Sequence, residues 1–213
     1  MTNNIFVFDD IVPGWLYDSV KKNISSIPVT CTHHGVGPDQ GARFFSKIWP
    51  LFELHNIPWE YNATFAALND SRARLSTDDE VVPLHLIQCQ LNLTTKSLVG
   101  EVHADRGPPS WTMVHLITGD TGMDFWEGDA NPNFSRREGK KIHEVEWKDN
   151  RCIIFPSNLL HRGLPPNNIE PRLTLGYIFG GTPQSQQEHN ANVISPIFRK
   201  EYNKKIARGR LVK

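Results

Sequence analysis

The chain has 213 residues, and its 23 lysines and arginines balance its 23 aspartates and glutamates at neutral pH. This balance argues against a protein that binds nucleic acid or an anionic membrane through its overall field. The length suits one well-buried domain, so we expect a single domain over residues 1–213. Fifteen glycines and 15 prolines favour turns and short strands over long helices.

The sequence also indicates a cellular compartment. No apolar run is long enough to cross a bilayer, and the first residues lack the basic region and apolar core of a signal peptide. The three cysteines, Cys31, Cys89 and Cys152, are scattered without a Cys-x-x-Cys pair, which suits reduced thiols. We therefore expect a cytoplasmic protein without membrane contacts.

Residues 1–80 predict a supporting region that contains helices. Residues 4–12 read as a strand, and residues 14–26 follow as an amphipathic helix with apolar residues at helical spacing. The aromatic-rich residues 43–56 predict a second helical region, interrupted at Pro50.

From residue 81 the pattern changes to short strands separated by turns. The predicted strands cover residues 81–93, 111–118, 123–127, 142–147, 151–155 and 171–179. Short strands at this regular spacing are typical of a sandwich or a barrel. We therefore expect a β core over residues 81–180, followed by a C-terminal extension over residues 181–213.

Two metal-competent side chains stand two positions apart in the middle of the chain. In an extended segment, His103 and Asp105 point to the same side. An imidazole and a carboxylate aimed at one point are two of the three ligands in the facial triad of non-haem Fe(II) sites. A lone His-x-Asp also arises by chance, so the pair requires a third ligand from elsewhere in the chain.

His161 is the candidate for that third ligand. It lies 58 positions after His103, in a polar turn directly past a buried strand. Eleven residues later, Arg172 and Thr174 form a second pair on one strand face. A guanidinium beside a hydroxyl is suited to binding a carboxylate through charge-assisted hydrogen bonds.

The order of these motifs resembles that of the Fe(II)/2-oxoglutarate-dependent dioxygenase superfamily. It is most similar to the prolyl-hydroxylase-type branch, because a strand and a helix precede the core. The segment Phe155-Pro-Ser-Asn-Leu-Leu-His161 is also similar to the strand-loop-His segment of that branch. The resemblance covers residues 81–180 well and residues 1–80 loosely.

The resemblance implies an α+β, mainly β fold: a double-stranded β-helix, or jelly roll, with N-terminal supporting helices. It implies that His103, Asp105 and His161 bind the catalytic Fe(II). Arg172 would bind the distal carboxylate of 2-oxoglutarate, with Thr174 assisting. The implied reaction is the oxidative decarboxylation of 2-oxoglutarate by O2, coupled to hydroxylation of a small-molecule, amino-acid or peptidyl substrate.

Further residues are candidates for supporting roles. Gln90 or Asn92, on the polar face of a predicted strand, either hydrogen-bonds the co-substrate or satisfies a buried amide. Arg106 and Trp111 follow the ligand pair and, with Trp126, are candidates for contact with the substrate, although tryptophans more often serve packing.

His115 and His143 fit no metal-ligand spacing, so we expect both to be structural. Residues 198–213 carry seven lysines and arginines against one glutamate, which is more typical of a solvated terminus than of a nucleic-acid site.

Two alternatives remain open at the level of sequence. One is a cupin-like metalloenzyme that uses iron without a 2-oxo acid, and the other is a non-catalytic jelly-roll binding module. The sequence identifies neither the substrate nor the oligomeric state.

Overall fold

The structure is a computed structural model. It describes residues 5–33, 43–73, 86–96, 100, 102–105, 110–128, 139–168 and 170–180. The helices are α1 (Gly14–Asn23) and α2 (Trp59–Ala73), with 3-10 helices over Ile24–Ser26 and Leu51–Asn56. The strands are β1 (Phe6–Asp9), β2 (Thr30–His33), β3 (Arg43–Pro50), β4 (Leu86–Thr94), β5 (Trp111–Thr118), β6 (Met123–Trp126), β7 (Lys141–Val145), β8 (Arg151–Pro156), β9 (Leu160–Gly163) and β10 (Arg172–Phe179).

These strands form two antiparallel sheets. The larger sheet has seven strands in the order β1-β8-β5-β10-β4-β3-β2, and the smaller has three in the order β7-β6-β9. Most neighbouring strands are not consecutive in the chain, which is typical of jelly rolls. The predicted fold class, mainly β with a double-stranded β-helix and supporting helices, is confirmed.

Each face of the larger sheet packs against a different layer. On the outer face, α1 and α2 cover alternate residues of β4, β5 and β10, and together they form one apolar core. Tyr17 of α1 donates a hydrogen bond to the carbonyl of Ile117 (2.8 Å), and Tyr177 of β10 donates to the carbonyl of Tyr61 in α2 (3.2 Å). These bonds fix both helices to the sheet while their aromatic rings stay buried.

The inner face of the larger sheet packs against the smaller sheet. Val114 and Phe155 from the larger sheet meet Met123 and Phe125 of β6 in a second, smaller apolar core. This core fills only part of the space between the sheets, and polar side chains line the remainder.

Residues 43–56 do not form the helix that we predicted. Residues 43–50 form β3, which pairs with both β2 and β4, and a 3-10 helix follows. Trp49 faces the helix-side core, whereas Ser46 is buried on the opposite face. Because both faces of this strand are covered, its apolar residues do not alternate clearly, and the run resembles a helix.

The boundary between the supporting region and the core is also less sharp than predicted. Residues 1–80 contribute β1 to one edge of the larger sheet and β2 and β3 to the other, in addition to the helices. The predicted C-terminal extension, residues 181–213, lies outside the described residues. Within the described part of the chain, no helix has the length and apolar character needed to span a membrane.

Candidate metal and co-substrate site

An open cleft lies between the inner faces of the two sheets. Its lining combines titratable side chains with amides, hydroxyls and glycines. The lining residues are Gln90, Asn92, Thr94, Gly100, His103, Asp105, Thr112, Val114, Met123, His161, Gly163, Arg172 and Thr174. Seven of the ten residues that the sequence singled out as site candidates therefore meet in this cleft.

The two candidate histidine ligands are neighbours through a backbone bridge. The N–H of His103 donates to the carbonyl of His161 (3.0 Å), and the N–H of His161 donates to the carbonyl of His103 (2.8 Å). Directly opposed residues of an antiparallel pair point to the same side, so the two imidazole rings are neighbours, with their centroids 4.5 Å apart. Within the described residues, the segment around His103 pairs through this single bridge.

Asp105 completes the cluster. Its Oδ1 lies 3.5 Å from Nε2 of His103, and its Oδ2 lies 3.6 Å from Nε2 of His161. One ligand atom from each residue lies within 4.8 Å of the other two. Three atoms about 2.1 Å from one ion, on one face of an octahedron, would be about 3 Å apart. The three ligand atoms therefore need to move closer together to hold a divalent metal.

Hydrogen bonds orient two of these ligands. Nδ1 of His161 lies 2.9 Å from the carbonyl of Leu159, so it carries the proton and leaves the Nε2 lone pair facing Asp105. Thr112 donates to Oδ2 of Asp105 (2.7 Å) and accepts from the hydroxyl of Ser157 (2.9 Å). An imidazole lone pair and a carboxylate that face each other repel unless a cation lies between them, which fits a metal site.

Electrostatics keeps both groups in the form that binds metal. Burial lowers the pKa of His161 to about 4, so its imidazole is neutral at pH 7. Burial also acts to raise the pKa of Asp105, but the positive charge that His161 gains at acid pH, the hydrogen bond with His103 and the hydroxyl of Thr112 outweigh it. The pKa of Asp105 is held below its usual range, and the carboxylate is ionised.

Arg172 lines the same cleft. It is only 3 % exposed, and it donates from Nε to the carbonyl of Thr121 (2.9 Å) and from a terminal nitrogen to that of Gly122 (3.3 Å). No carboxylate of the described residues forms an ion pair with it, and burial lowers its pKa to about 10. A buried guanidinium that meets only carbonyl oxygens among the described residues is suited to binding an anion.

Two neighbouring features shape the space around this guanidinium. A Cβ atom added at Gly163 would lie 2.9 Å from Nη1 of Arg172, so the glycine makes room for the guanidinium. Thr174 follows on the same face of β10 and pairs in register with Asn92 of β4. Within the described residues, the buried Oδ1 of Asn92 receives no hydrogen bond, and this amide remains available to a ligand.

Gln90 lies two residues before Asn92 on the same face of β4. It is opposite Gly176, and its side chain occupies the space that a Cβ at that glycine would need. Its Oε1 accepts a hydrogen bond from Gln88 (3.1 Å). Gln90 therefore lines the cleft, but it is partly satisfied within the protein.

The predicted substrate contacts do not all reach the cleft. Trp111 is buried on the helix-side face of β5, where its ring centroid lies 6.0 Å from that of Phe6, and it does not line the cleft. Trp126 does not line the cleft and packs instead beneath the guanidinium of Arg162. Arg106 lies outside the described residues.

The sequence did not single out Thr112 or Ser157, which orient Asp105. A threonine that interrupts the apolar residues of β5 is the only signal for the first. No local pattern marks the second, because its role depends on pairing with a distant segment. His115 is structural as expected, since it is buried on the helix side and hydrogen-bonded to Asn150 (3.0 Å).

Comparisons with known proteins identify similar folds rather than close relatives. Neither protein-family models nor curated protein sequences match the chain. Among solved structures, the epimerase SnoN in complex with Fe3+, alpha ketoglutarate and nogalamycin RO has a TM-score of 0.60 at 11% identity, over 83% of this chain and 78% of that chain. A Pseudomonas putida prolyl-4-hydroxylase has a TM-score of 0.54 at 14% identity, over 84% and 92% of the two chains.

HygX from Streptomyces hygroscopicus, with nickel, 2-oxoglutarate and hygromycin B bound, has a TM-score of 0.56 at 11% identity, over 85% and 84% of the two chains. At such low identity these likenesses establish the architecture alone. The chain has the jelly-roll fold of these structures.

Proposed function

We propose that the protein is an Fe(II)- and 2-oxoglutarate-dependent dioxygenase. The observation that carries the proposal is the presence, in one cleft, of a three-ligand cluster and a buried arginine. His103, Asp105 and His161 lie within reach of one ion, and Arg172 meets no carboxylate among the described residues. His103 and Asp105 lie more than 50 residues before His161 and Arg172, and the fold brings the two pairs into one cleft.

The chemistry of the donor set supports Fe(II) as the metal. Two imidazoles and one carboxylate on one face leave other coordination positions open, which is the arrangement of non-haem Fe(II) oxygenases. The neutral imidazole of His161 and the ionised carboxylate of Asp105 are ready to coordinate without the loss of a proton. The ion would be held by His103, Asp105 and His161.

Arg172 supports a dicarboxylic co-substrate. Its guanidinium would bind the distal carboxylate of 2-oxoglutarate, with the hydroxyl of Thr174 as a further donor, while the keto acid end reaches the metal. Asn92 would contribute a polar contact along the co-substrate. A cupin-like enzyme that uses no 2-oxo acid would leave this buried charge without a function.

The bound metal would supply one reaction: the oxidative decarboxylation of 2-oxoglutarate by O2 to succinate and CO2, with transfer of one oxygen atom to a C–H bond of the substrate. The protein binds the co-substrate, orients Asp105 through Thr112, and shields His161 between the rings of Phe125 and Phe155.

We further propose a small-molecule or peptidyl substrate and a single domain over residues 1–213. Two similar structures, those of SnoN and HygX, contain nogalamycin RO and hygromycin B, which supports a small molecule. A cytoplasmic location is consistent with the free, buried thiols of Cys89 and Cys152. The balanced charge of the chain argues against nucleic acid as a substrate.

The proposed activity is tested by formation of succinate from 2-oxoglutarate in air, with and without added Fe(II). The wild type should form succinate only with Fe(II), and Asp105→Ala should lower the rate by about 100-fold or more, because one ligand is lost. Asp149→Ala, at an exposed ion pair with Lys21, is the matched control and should keep the full rate. Formation of no succinate by the wild type, or an equal rate for Asp105→Ala, would contradict the proposal.

A further inference from the structure

All three candidate metal ligands depend on strand β9 and the turn before it. His161 lies on β9, and His103 is held to it by the two backbone hydrogen bonds of the bridge. The N–H of Asp105 donates to the carbonyl of Ser157, just before β9 (2.9 Å). The position of β9 therefore sets the position of the whole cluster.

β9 is a short strand, and it pairs with β6 through four residues. Arg162 of β9 is directly opposite Asp124 of β6, and a terminal nitrogen of Arg162 donates to Oδ2 of Asp124 (3.0 Å). The side chain of Asp124 is 5% exposed and that of Arg162 is 24% exposed. Because side chains alternate along a strand, this ion pair lies on the reverse face from His161.

Arg162 contacts more than its ion-pair partner. Its guanidinium lies 5.4 Å from the ring centre of Trp126 on β6. On the other side, a Cβ added at Gly100 would lie 3.9 Å from Cγ of Arg162, so the stem of the arginine adjoins the segment that leads to His103. On the face of β9 opposite the cleft, Arg162 therefore contacts both β6 and the segment that leads to His103.

The ion pair is poorly suited to stabilising the protein. Within the described residues, Nε of Arg162 and Nε1 of Trp126 are buried without a hydrogen-bond partner. A buried ion pair offsets its desolvation cost only when its hydrogen bonds are complete, and the best-attested use of such groups is to fix register. Register is critical here, since a slip of one residue would turn His161 away from the cleft.

We propose that the Asp124–Arg162 ion pair positions the metal ligands, by fixing the register of β9 against β6 so that His161 and His103 stay aimed at one point. Both are positioning residues, because neither lines the cleft. This inference rests on the proposed function, which supplies the metal.

The chain offers a matched control pair in the other sheet. Arg151 of β8 is directly opposite Asp9 of β1, donates to it from Nε (2.7 Å), and is buried. A lysine also adjoins each carboxylate: Nζ of Lys148 lies 3.0 Å from Oδ2 of Asp9, and Nζ of Lys141 lies 3.5 Å from Oδ1 of Asp124. The two pairs share composition and cross-strand register, and both carboxylates are buried, but only one pair lies behind the metal ligands.

The test compares Co(II) binding to the wild type, Arg162→Met and Arg151→Met. Each metal-free protein is titrated with Co(II), and binding is measured by the visible absorption of the bound ion. We expect Arg162→Met to weaken Co(II) binding by about tenfold and to change the band shape, because ligand geometry is disturbed. Arg151→Met should lower the urea midpoint but leave the affinity and the band unchanged. If Arg162→Met does not fold, the isosteric Asp124→Asn replaces it in the test, and we expect the same weakening of Co(II) binding and the same change in band shape.

The outcomes separate this inference from the proposed function. Wild-type affinity and spectrum in Arg162→Met or Asp124→Asn would overturn the positioning role while leaving the metal site intact. Equal weakening by Arg151→Met would also overturn it, since the effect would then be general destabilisation. A wild type that binds no Co(II) would overturn the metal site itself, and with it both proposals.

Discussion

Strand β10 is buried on both faces, yet the two faces are built from different chemistry. Toward the helices it presents Leu175, Tyr177 and other apolar residues, and the one hydroxyl among them has a carbonyl partner. Toward the cleft it presents Arg172 and Thr174, which are equally buried. One strand therefore carries the core of the protein on one side and the candidate co-substrate site on the other.

The two faces of β10 contribute to different properties, stability on one side and ligand binding on the other. Burial of apolar side chains on the helix side stabilises the fold. Burial of Arg172 costs free energy, because within the described part of the chain no carboxylate compensates its charge. A charge kept at such a cost is consistent with a ligand that supplies the missing anion. Substitutions on the two faces should accordingly change different measured quantities.

The largest expected effect is on the cleft face. Arg172→Met should weaken 2-oxoglutarate binding by about a thousandfold, because it removes the charge that would pair with the distal carboxylate. The free energy of unfolding without ligand should change by less than about 1 kcal/mol, since the lost hydrogen bonds are offset by the absence of a buried charge. Calorimetric titration and urea unfolding measure the two quantities.

Leu175→Ala, on the opposite face of the same strand, is the control for this substitution. It should lower the free energy of unfolding by about 3 kcal/mol through the cavity it leaves, and the folded fraction should bind 2-oxoglutarate as the wild type does. If Arg172→Met lost stability as Leu175→Ala does while keeping its affinity, the two faces would not differ in the way described.

A second expectation concerns the pH dependence of the helix-side face, which contains His115 beside Tyr17. Burial lowers the pKa of His115 to about 4, whereas an unfolded histidine titrates near its ordinary value of 6.5. Between these values the unfolded chain binds more protons, so the free energy of unfolding falls as the pH falls through this window. The expected loss from this residue is about 2 to 3 kcal/mol between pH 7 and pH 4.

His115→Gln isolates that contribution. Urea unfolding of the metal-free proteins at pH 7 and pH 4 should show a smaller loss for the variant, because glutamine keeps a polar contact with Asn150 but does not titrate. His161 contributes equally in both proteins, so it cancels in the difference. Parallel pH profiles for the two proteins would exclude a neutral, buried His115.

The smallest expected effect is at the boundary between the metal ligands and the arginine. Gly163→Ala would bring a Cβ to 2.9 Å from Nη1 of Arg172 and displace the guanidinium. We expect 2-oxoglutarate binding to weaken by about tenfold, in line with a misplaced rather than a missing charge. Co(II) affinity should stay close to that of the wild type. Gly14→Ala, where no atom lies within 4 Å of the added Cβ, should change neither.

The comparison of faces also explains how much of the fold the sequence predicts. The sequence predicts β5 with its observed bounds, because its mainly apolar residues are followed at once by the turn that begins at Gly119. It predicts a helix in place of β3, since both faces of that strand are covered. It predicts a turn in place of β9, because Leu160–Gly163 is short and polar and is a strand only through its pairing with β6.

The residues of the candidate site also differ in how far the sequence predicts them. The order of His103, Asp105, His161 and Arg172 along the chain is sufficient to identify the four charged or metal-competent groups of the cleft. The residues that orient them are hidden in the sequence. Thr112, for example, depends on which strands become neighbours in the folded protein, and no local pattern encodes that pairing.

The most direct test of the account is an anaerobic titration of wild-type protein, loaded with one equivalent of Fe(II), with 2-oxoglutarate. We predict a weak visible charge-transfer band that grows with added 2-oxoglutarate and saturates at one molecule per chain. The same titration of Arg172→Met should need a far higher concentration. Absence of the band in the wild type, although Fe(II) is bound, would contradict the claim that this cleft holds metal and 2-oxoglutarate together.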